Sequence, residues 1–201
     1  MKILCSSDLH MNKKKANALV KEAVKRNVEV VVNTGDFLSN NFANEFAKQI
    51  EEENMQGIFV EGNWDHNLHI TSEKVKVLKY ETIKIKKYYF FGMDEKIFYS
   101  WEDMLDLTKA IPSEKLIFLT HEPPKGYLDL IWNGTRIGNL DYKIYDEKKQ
   151  PLAHCFGHVH EANGIAHLKN TILINGAVAD IPKAYILDLK TKNIETINLK
   201  G

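Results

Sequence analysis

The sequence has few of the features that would assign it at once to a special class of protein. Among 201 residues there are two cysteines, and 27 Lys and Arg residues balance 27 Asp and Glu residues. The balanced charge argues against nucleic acid as a partner, because a dedicated binder presents a broad basic surface. Cys5 and Cys155 lie far apart along the chain, and we interpret them as two reduced, partly buried thiols rather than a disulfide.

Long apolar runs and low-complexity segments are also missing. The apolar stretches are a handful of residues long, too short to cross a bilayer, and no charged and then apolar leader precedes the first predicted strand. Five Pro and 11 Gly give no sign of a flexible linker. We therefore expect a soluble, cytoplasmic protein with no membrane partner, folded as a single domain over residues 1–201.

The first third of the chain alternates short apolar strands with amphipathic helices. Strands are predicted over 2–5, 28–32 and 57–60, and helices over 13–26 and 42–53. This alternation predicts parallel strands joined by right-handed crossovers.

From residue 75 to residue 85 the apolar positions follow the two-residue period of half-exposed strands, and continuous apolar runs follow at 88–91 and 116–119, with one helix predicted over 100–110 between them. The predicted strands of this part cover 75–77, 83–85, 88–91, 116–119, 153–156, 171–174, 184–189 and 194–199. The sequence thus predicts an α/β fold in which two mixed β-sheets pack as a sandwich with helices outside. Pairing of the last strands across a homo-oligomer is also compatible with this pattern.

Side chains able to bind a metal follow five of the predicted strands. They stand in the segments Asp8-Leu9-His10, Gly35-Asp36, Gly62-Asn63-Trp64-Asp65-His66, Thr120-His121-Glu122 and Gly157-His158-Val159-His160. Each segment alone is compatible with an ordinary turn or a surface histidine. Turns do not require histidine, however, and the carboxyl ends of strands in α/β sheets are where ligands bind. The five segments together predict one metal-binding cleft.

The predicted donor set favours transition metals. Four imidazoles, two carboxylates and one amide are more than one tetrahedral ion binds, and they suit two ions that share a carboxylate. Nitrogen and oxygen donors without thiolate favour Mn, Fe, Zn, Co or Ni over Ca or Mg, and we place Mn first.

In their order, these motifs resemble the calcineurin-like metallophosphoesterases, whose pattern is D-x-H, G-D, G-N-x-D/E, a lone H and G-H-x-H. The motifs run from residue 8 to residue 160. The stretch from Thr120 to Gly126, with Leu128-Asp129 after it and His160-Glu161 followed by Gly164, is similar to the small phosphodiesterase branch of that family.

The resemblance implies a role for each motif residue. Asp8, His10 and His160 would hold one metal ion, and Asn63, His121 and His158 would hold the other. Asp36 would bridge the two ions. The implied fold is again a sandwich of two mixed sheets.

One position departs from the family pattern. Many relatives have a histidine directly after the asparagine, where it contacts the phosphate or protonates the leaving group, and here Trp64 stands there. Either His66 reaches the site by another loop path and serves as the catalytic acid, or the enzyme works without that acid. We interpret Trp64 as a buried aromatic, with stacking on a substrate base as the alternative.

The resemblance implies a two-metal phosphoesterase in which a bridging hydroxide attacks phosphorus in line. We expect a small phosphodiester as substrate, with a phosphomonoesterase or a non-catalytic interaction scaffold of the same fold as alternatives. Asn63 would contact the phosphoryl oxygens, and Arg136 would either neutralise a phosphate or remain a solvated loop charge. We expect His154 to be a satisfied core histidine and His167 to be a surface residue. We expect Trp132 to pack in the core, with a place in a substrate lip as the alternative.

Overall fold

The computed structural model describes residues 1–93, 96–97 and 99–199, and its strands form two six-stranded sheets. In chain order the strands are β1 (Lys2–Ser6), β2 (Val30–Asn33), β3 (Gln56–Phe59), β4 (Val75–Val77), β5 (Glu81–Ile85), β6 (Tyr88–Gly92), β7 (Leu116–Leu119), β8 (Ala153–Phe156), β9 (Gly164–Leu168), β10 (Thr171–Asn175), β11 (Lys183–Asp188) and β12 (Ile194–Asn198).

Both sheets are mixed, which confirms the predicted fold class. The first sheet has the order β12-β11-β1-β2-β3-β4, in which β1 to β4 are parallel and β11 and β12 are antiparallel to their neighbours. The second sheet has the order β5-β6-β7-β8-β10-β9, with β6, β7, β8 and β10 parallel and the two edge strands antiparallel. The parallel strands of each sheet therefore end at a common edge.

Four α-helices of the described residues, each introduced by a polar capping residue, flank the sheets. They are α1 (Lys13–Lys25), α2 (Asn40–Glu52), α3 (Trp101–Thr108) and α4 (Leu140–Lys149). Asn12, Ser39, Ser100 and Asn139 accept hydrogen bonds from backbone N–H groups of the first turns, which otherwise lack partners. In the described part of the chain, no helix combines the length and the apolar character needed to span a bilayer.

Central strands such as β2 are buried on both faces, because one face of the sheet packs against the other sheet and the opposite face packs against helices. Val30 and Val32 of β2 pack between the sheets, in one cluster with Ile117 of β7 and Ile174 of β10. Val31, which points the opposite way, packs in a second cluster beneath α1 and α2. Continuous apolar runs are typical of such doubly covered strands.

Among the α-helices and strands of the described residues, α4 and β9 were not predicted. Helix α4 buries Tyr142, Tyr145 and the acidic Asp146, so it shows no apolar stripe of the usual kind. Strand β9 is an edge strand in which exposed positions alternate with partly buried ones and only Leu168 is fully buried. Strand β2 begins at Val30 rather than at Val28, although Val28 is itself buried.

Candidate metal centre

The carboxyl ends of β1, β2, β3, β7 and β8 bring the seven predicted ligand side chains together. At one side of the cluster, Asp8 Oδ1 lies 3.1 Å from His160 Nε2 and 3.9 Å from His10 Nε2. One ligand atom from each of these three residues lies within 4.8 Å of the others. The three side chains therefore form a group of donors that could hold a divalent ion.

A second group lies on the other side. His121 Nε2 is 2.9 Å from Asn63 Oδ1 and 3.2 Å from His158 Nδ1, and His158 Nδ1 is 3.2 Å from Asn63 Oδ1. His121 Nδ1 donates to the carbonyl oxygen of Thr34 over 2.7 Å. In a neutral imidazole this leaves a lone pair on Nε2, directed at its neighbours in the group.

Asp36 lies between the two groups. Its Oδ2 atom is 3.7 Å from His10 Nε2 and 3.5 Å from His121 Nε2. Its other oxygen, Oδ1, accepts a hydrogen bond of 3.0 Å from the backbone N–H of Trp64, which fixes the carboxylate between the two groups. One carboxylate oxygen thus contacts an imidazole nitrogen from each side.

The cluster has an orphaned atom that fits a cation. His10 Nε2 is buried, and within the described residues it has no hydrogen-bond partner. A buried polar atom without a partner is costly, so its position facing Asp8 and Asp36 fits coordination of a metal ion. The residues present therefore suit the divalent ions that the donor types indicate.

Electrostatics in the cluster favour ionised carboxylates. Burial raises the pKa of Asp36, but the imidazoles of His10 and His121 outweigh it and hold the pKa well below its usual range. Burial likewise opposes ionisation of Asp8, yet its bond with His160 and the nearby His121 lower its pKa. The bond to Asp8 raises the pKa of His160, whereas burial lowers the pKa of His158.

The backbone at the cluster is strained. Asp8, His10, Asp36 and His158 have φ angles of 56°, 45°, 59° and 68°, in the left-handed region that side chains seldom adopt. Such conformations each cost about 1–3 kcal/mol and concentrate at functional sites. Four of the seven predicted ligands are held in this way.

At two motif positions only glycine fits, because atoms of the neighbouring ligand loops lie where a Cβ atom would be. A Cβ atom on Gly62 would lie 2.7 Å from the backbone nitrogen of Asp36 and 2.8 Å from Cε1 of His121. A Cβ atom on Gly157 would overlap the side chains of Ser7 and Asp8. These two positions let the ligand loops from both sheets touch.

Asp65 holds the loop, a role that the sequence analysis missed. Its Oδ2 atom accepts hydrogen bonds from the backbone N–H groups of Asp36 (2.8 Å) and Gly62 (3.0 Å). Its Oδ1 atom accepts from Phe37 (2.9 Å) and Leu38 (3.0 Å). One buried carboxylate thus joins the β2 and β3 loops. The acidic residue two positions after Asn63 was the available signal, but its partners are backbone groups rather than a histidine.

His154 is a satisfied core histidine, as predicted. Its Nδ1 atom lies 2.7 Å from Oδ2 of buried Asp146, and its Nε2 atom lies 2.8 Å from the hydroxyl of Thr120. The hydroxyl itself donates to the carbonyl of Glu122. This buried chain of hydrogen bonds positions the residues on either side of His121.

Two expectations about aromatic residues were wrong. Trp64 is 65% exposed and Trp132 is 87% exposed, so neither packs in the core. Each lies in a loop held by its backbone: the N–H of Trp64 donates to Asp36, and that of Trp132 donates to Glu161 over 2.6 Å. Loop geometry rather than side-chain burial fixes their positions.

The remaining predicted site residues lie outside the cluster network. His66 is exposed, and among the described residues its ring makes no hydrogen bond or ion pair. Arg136 donates to Oδ1 of buried Asp129 over 2.6 Å, and Oδ2 of Asp129 accepts from the N–H of Gly126. His167 is exposed, as predicted.

We predict that Asp65→Asn weakens the fold at this loop. An amide nitrogen in place of either oxygen leaves two buried N–H groups without an acceptor, so the free energy of unfolding should fall by about 2–4 kcal/mol. Denaturant unfolding measures this change. Asp106→Asn is the matched control, because that carboxylate is 77% exposed and its loss should cost no more than about 0.5 kcal/mol. Equal free energies of unfolding for the two variants would contradict the role of Asp65 in joining the β2 and β3 loops.

Comparisons with known proteins agree with this geometry. The chain is 28% identical over 209 residues to UPF0046 protein K07C11.7 of Caenorhabditis elegans, an alignment that covers 88% of this chain and 69% of the relative. Metallophosphoesterase domain-containing protein 1 of Homo sapiens is 30% identical over 93 residues, covering 42% of this chain and 28% of that protein.

Two solved structures share the fold. TT1561 of Thermus thermophilus superposes with a TM-score of 0.73 at 15% identity, covering 99% of both chains. A structure described as a novel archaeal phosphodiesterase has a TM-score of 0.60 at 18% identity, covering 98% of this chain and 99% of the other. The family model of the calcineurin-like phosphoesterase superfamily domain matches residues 1–192. With nearly its whole length matched, the chain belongs to the calcineurin-like phosphoesterase superfamily.

Proposed function

We propose that the protein is a metal-dependent phosphoesterase that hydrolyses small phosphodiesters at a two-metal centre. The observation that carries the proposal is the position of Asp36, whose Oδ2 atom lies between His10 Nε2 at 3.7 Å and His121 Nε2 at 3.5 Å. A shared carboxylate between two groups of donors is the arrangement that a pair of neighbouring divalent ions needs.

Each side chain has a proposed role. Asp8, His10 and His160 hold the first ion, and Asn63, His121 and His158 hold the second, with Asp36 shared. The carbonyl of Thr34 fixes the tautomer of His121, and the backbone N–H of His158 fixes Asp8 through a bond of 3.0 Å to Oδ2.

The bound ions supply a nucleophilic water at neutral pH and positive charge for the phosphoryl oxygens. Asn63 is exposed, whereas Asp8, Asp36 and His121 are buried. The substrate therefore approaches over Asn63, whose amide contacts a phosphoryl oxygen. The buried carboxylates stay dry, which strengthens their attraction for the ions.

The pairing of both arginines with carboxylates favours a diester over a monoester as the proposed substrate. The chain has two arginines, and both are engaged by carboxylates: Arg26 with Glu22 and Glu195, and Arg136 with Asp129. A phosphodiester carries one negative charge, whereas a monoester dianion carries two and needs more cationic neutralisation. The phosphodiesterase named among the solved structures shares the fold and supports the same preference.

The proposed reaction lacks a histidine after Asn63 to protonate the leaving group. Trp64 stands there, exposed beside the cluster, and among the described parts of the chain His66 makes no hydrogen bond or ion pair with the ligand residues. The assignment of His66 as an acid and of Arg136 as a phosphate ligand stays a prediction. Without an acid, substrates whose leaving groups depart as stable anions react best.

The proposal predicts metal-dependent hydrolysis of bis-p-nitrophenyl phosphate. With added Mn²⁺ the diester should be turned over faster than p-nitrophenyl phosphate. Chelator should reduce turnover to the uncatalysed rate, and Mn²⁺ should restore it. Release of p-nitrophenolate measures both reactions.

Two other outcomes would each overturn part of the proposal. Faster turnover of the monoester would make the protein a phosphomonoesterase. Absence of metal-dependent turnover with either ester would favour a non-catalytic interaction scaffold of the same fold.

Asp36→Asn should abolish turnover and weaken metal binding at both positions. An amide binds a cation less strongly than a carboxylate does. Because residue 36 contacts both donor groups, the affinity for each ion should fall at least about tenfold. Metal content after dialysis against Mn²⁺ measures binding independently of activity. Asp106→Asn again serves as the control, and full activity of Asp36→Asn would refute the shared-ligand assignment.

Trp64→His should raise turnover selectively for poor leaving groups. An imidazole there can donate a proton, so hydrolysis of an alkyl p-nitrophenyl diester at its alkyl ester bond should increase by up to about 100-fold, while release of p-nitrophenolate changes little. Product analysis separates the two bonds. The control is Trp132→His, in another loop. A uniform change at both bonds would exclude the missing acid as the cause.

A further inference from the structure

The two cysteines lie in contact across the sandwich. Cys5 is in β1 of the first sheet and Cys155 is in β8 of the second, and their Sγ atoms are 3.0 Å apart. Each residue is 1% exposed. The long separation in sequence suggested two unrelated thiols, and the fold places them side by side.

The contact is built into the backbone rather than set by one rotamer. The two chain segments run side by side at a constant offset of 150 residues. Cys5 contacts Cys155, Gly157 lies against Ser7, and the N–H of His158 donates to Asp8. Residues i and i+2 of a strand share a face, so the face that brings Ser7 to Gly157 also brings the thiols together.

We propose that Cys5 and Cys155 are an oxidative modification site, at which a hydroperoxide converts the two thiols into a reversible disulfide that joins the sheets. The sulfur atoms lie about 1 Å farther apart than the roughly 2.0 Å of a covalent S–S bond. The chain has only these two cysteines, so no other disulfide can form within it.

The chemistry balances with hydrogen peroxide as the oxidant. One thiolate attacks a peroxide oxygen, the O–O bond breaks, and hydroxide leaves, which gives a sulfenic acid. The second thiol attacks that sulfur, the S–O bond breaks, and water leaves as the S–S bond forms. The proton that the first thiol lost on becoming a thiolate converts the hydroxide into water, so the two sulfurs together have lost two electrons and peroxide has become two water molecules.

The surroundings of the two thiols favour a small oxidant and make the oxidation slow. Both sulfurs are buried, so a molecule of two heavy atoms reaches them more readily than a bulky disulfide does. The hydrogen bond with Cys155, together with burial, raises the pKa of Cys5 well above its ordinary value. Little thiolate is present at neutral pH, and the thiolate is the reacting form.

The disulfide lies close beneath the metal centre. Three residues beyond Cys5 stands Asp8, and three residues beyond Cys155 stands His158. A cross-link there holds the two strand ends together and closes a loop of about 150 residues, which restricts the unfolded chain strongly. The midpoint of thermal unfolding should therefore rise by about 10 °C in the oxidised protein.

The test uses the reduced protein loaded with Zn²⁺, which has no redox chemistry of its own. After treatment with hydrogen peroxide, the protein is denatured, alkylated with iodoacetamide and analysed by mass spectrometry. We expect a monomer two hydrogen atoms lighter, without alkyl groups, and a proteolytic fragment that joins residue 5 to residue 155. Dithiothreitol should restore both alkylation sites and the original melting temperature.

Single variants separate this disulfide from other oxidation products. Cys5→Ala and Cys155→Ala should each remain fully alkylatable at low peroxide and show no rise in melting temperature. The experiment on the unaltered chain needs neither variant, so a variant that fails to fold leaves the test intact. Two free thiols after peroxide treatment, a sulfinic acid without a cross-link, or a cross-link only between chains would each overturn the proposal.

Discussion

The structure depends on the close approach of two strand ends that belong to different sheets. Gly157 lies against Ser7, and the N–H of His158 bonds to Asp8 Oδ2 at 3.0 Å. Because the glycine has no side chain, the segments that directly follow β1 and β8 can touch. Ligand side chains from both sheets then share one small volume, which neither sheet could provide by itself. The sandwich is the means of bringing imidazoles and carboxylates from distant parts of the chain together.

Bringing these side chains together destabilises the protein in the absence of a ligand, and the kind of destabilisation indicates that the cluster binds a cation. Asp8 and Asp36 are buried, several ligands occupy left-handed backbone conformations, and His10 Nε2 has no hydrogen-bond partner among the described residues. None of these features stabilises an empty fold. A divalent ion would compensate for the buried carboxylates and the unpartnered imidazole nitrogen, since it would attract the carboxylates and accept the lone pairs of the imidazoles. Asp65 holds the loops in place around this charge.

Much of this arrangement could be predicted from the sequence because it rests on local patterns. Short continuous apolar runs such as Val30 to Val32, ended by turn residues, identify buried strands, and polar residues at strand ends indicate the cleft. Helix α4 could not be recognised, because its buried Asp146 is acceptable only opposite His154. The exposure of Trp64 and the approach of the cysteines depend on tertiary geometry that spacing along the chain does not encode.

The position of β1 in its sheet has a consequence for the order of folding. This first strand lies between β2, which follows it closely, and β11, which is synthesised about 180 residues later. Until β11 arrives, one edge of β1 has unpaired backbone groups beside its apolar side chains, and a nascent chain in that state is prone to pair with a neighbour. The loop after β1, which carries Asp8 and His10, becomes fully supported only once β11 has been synthesised.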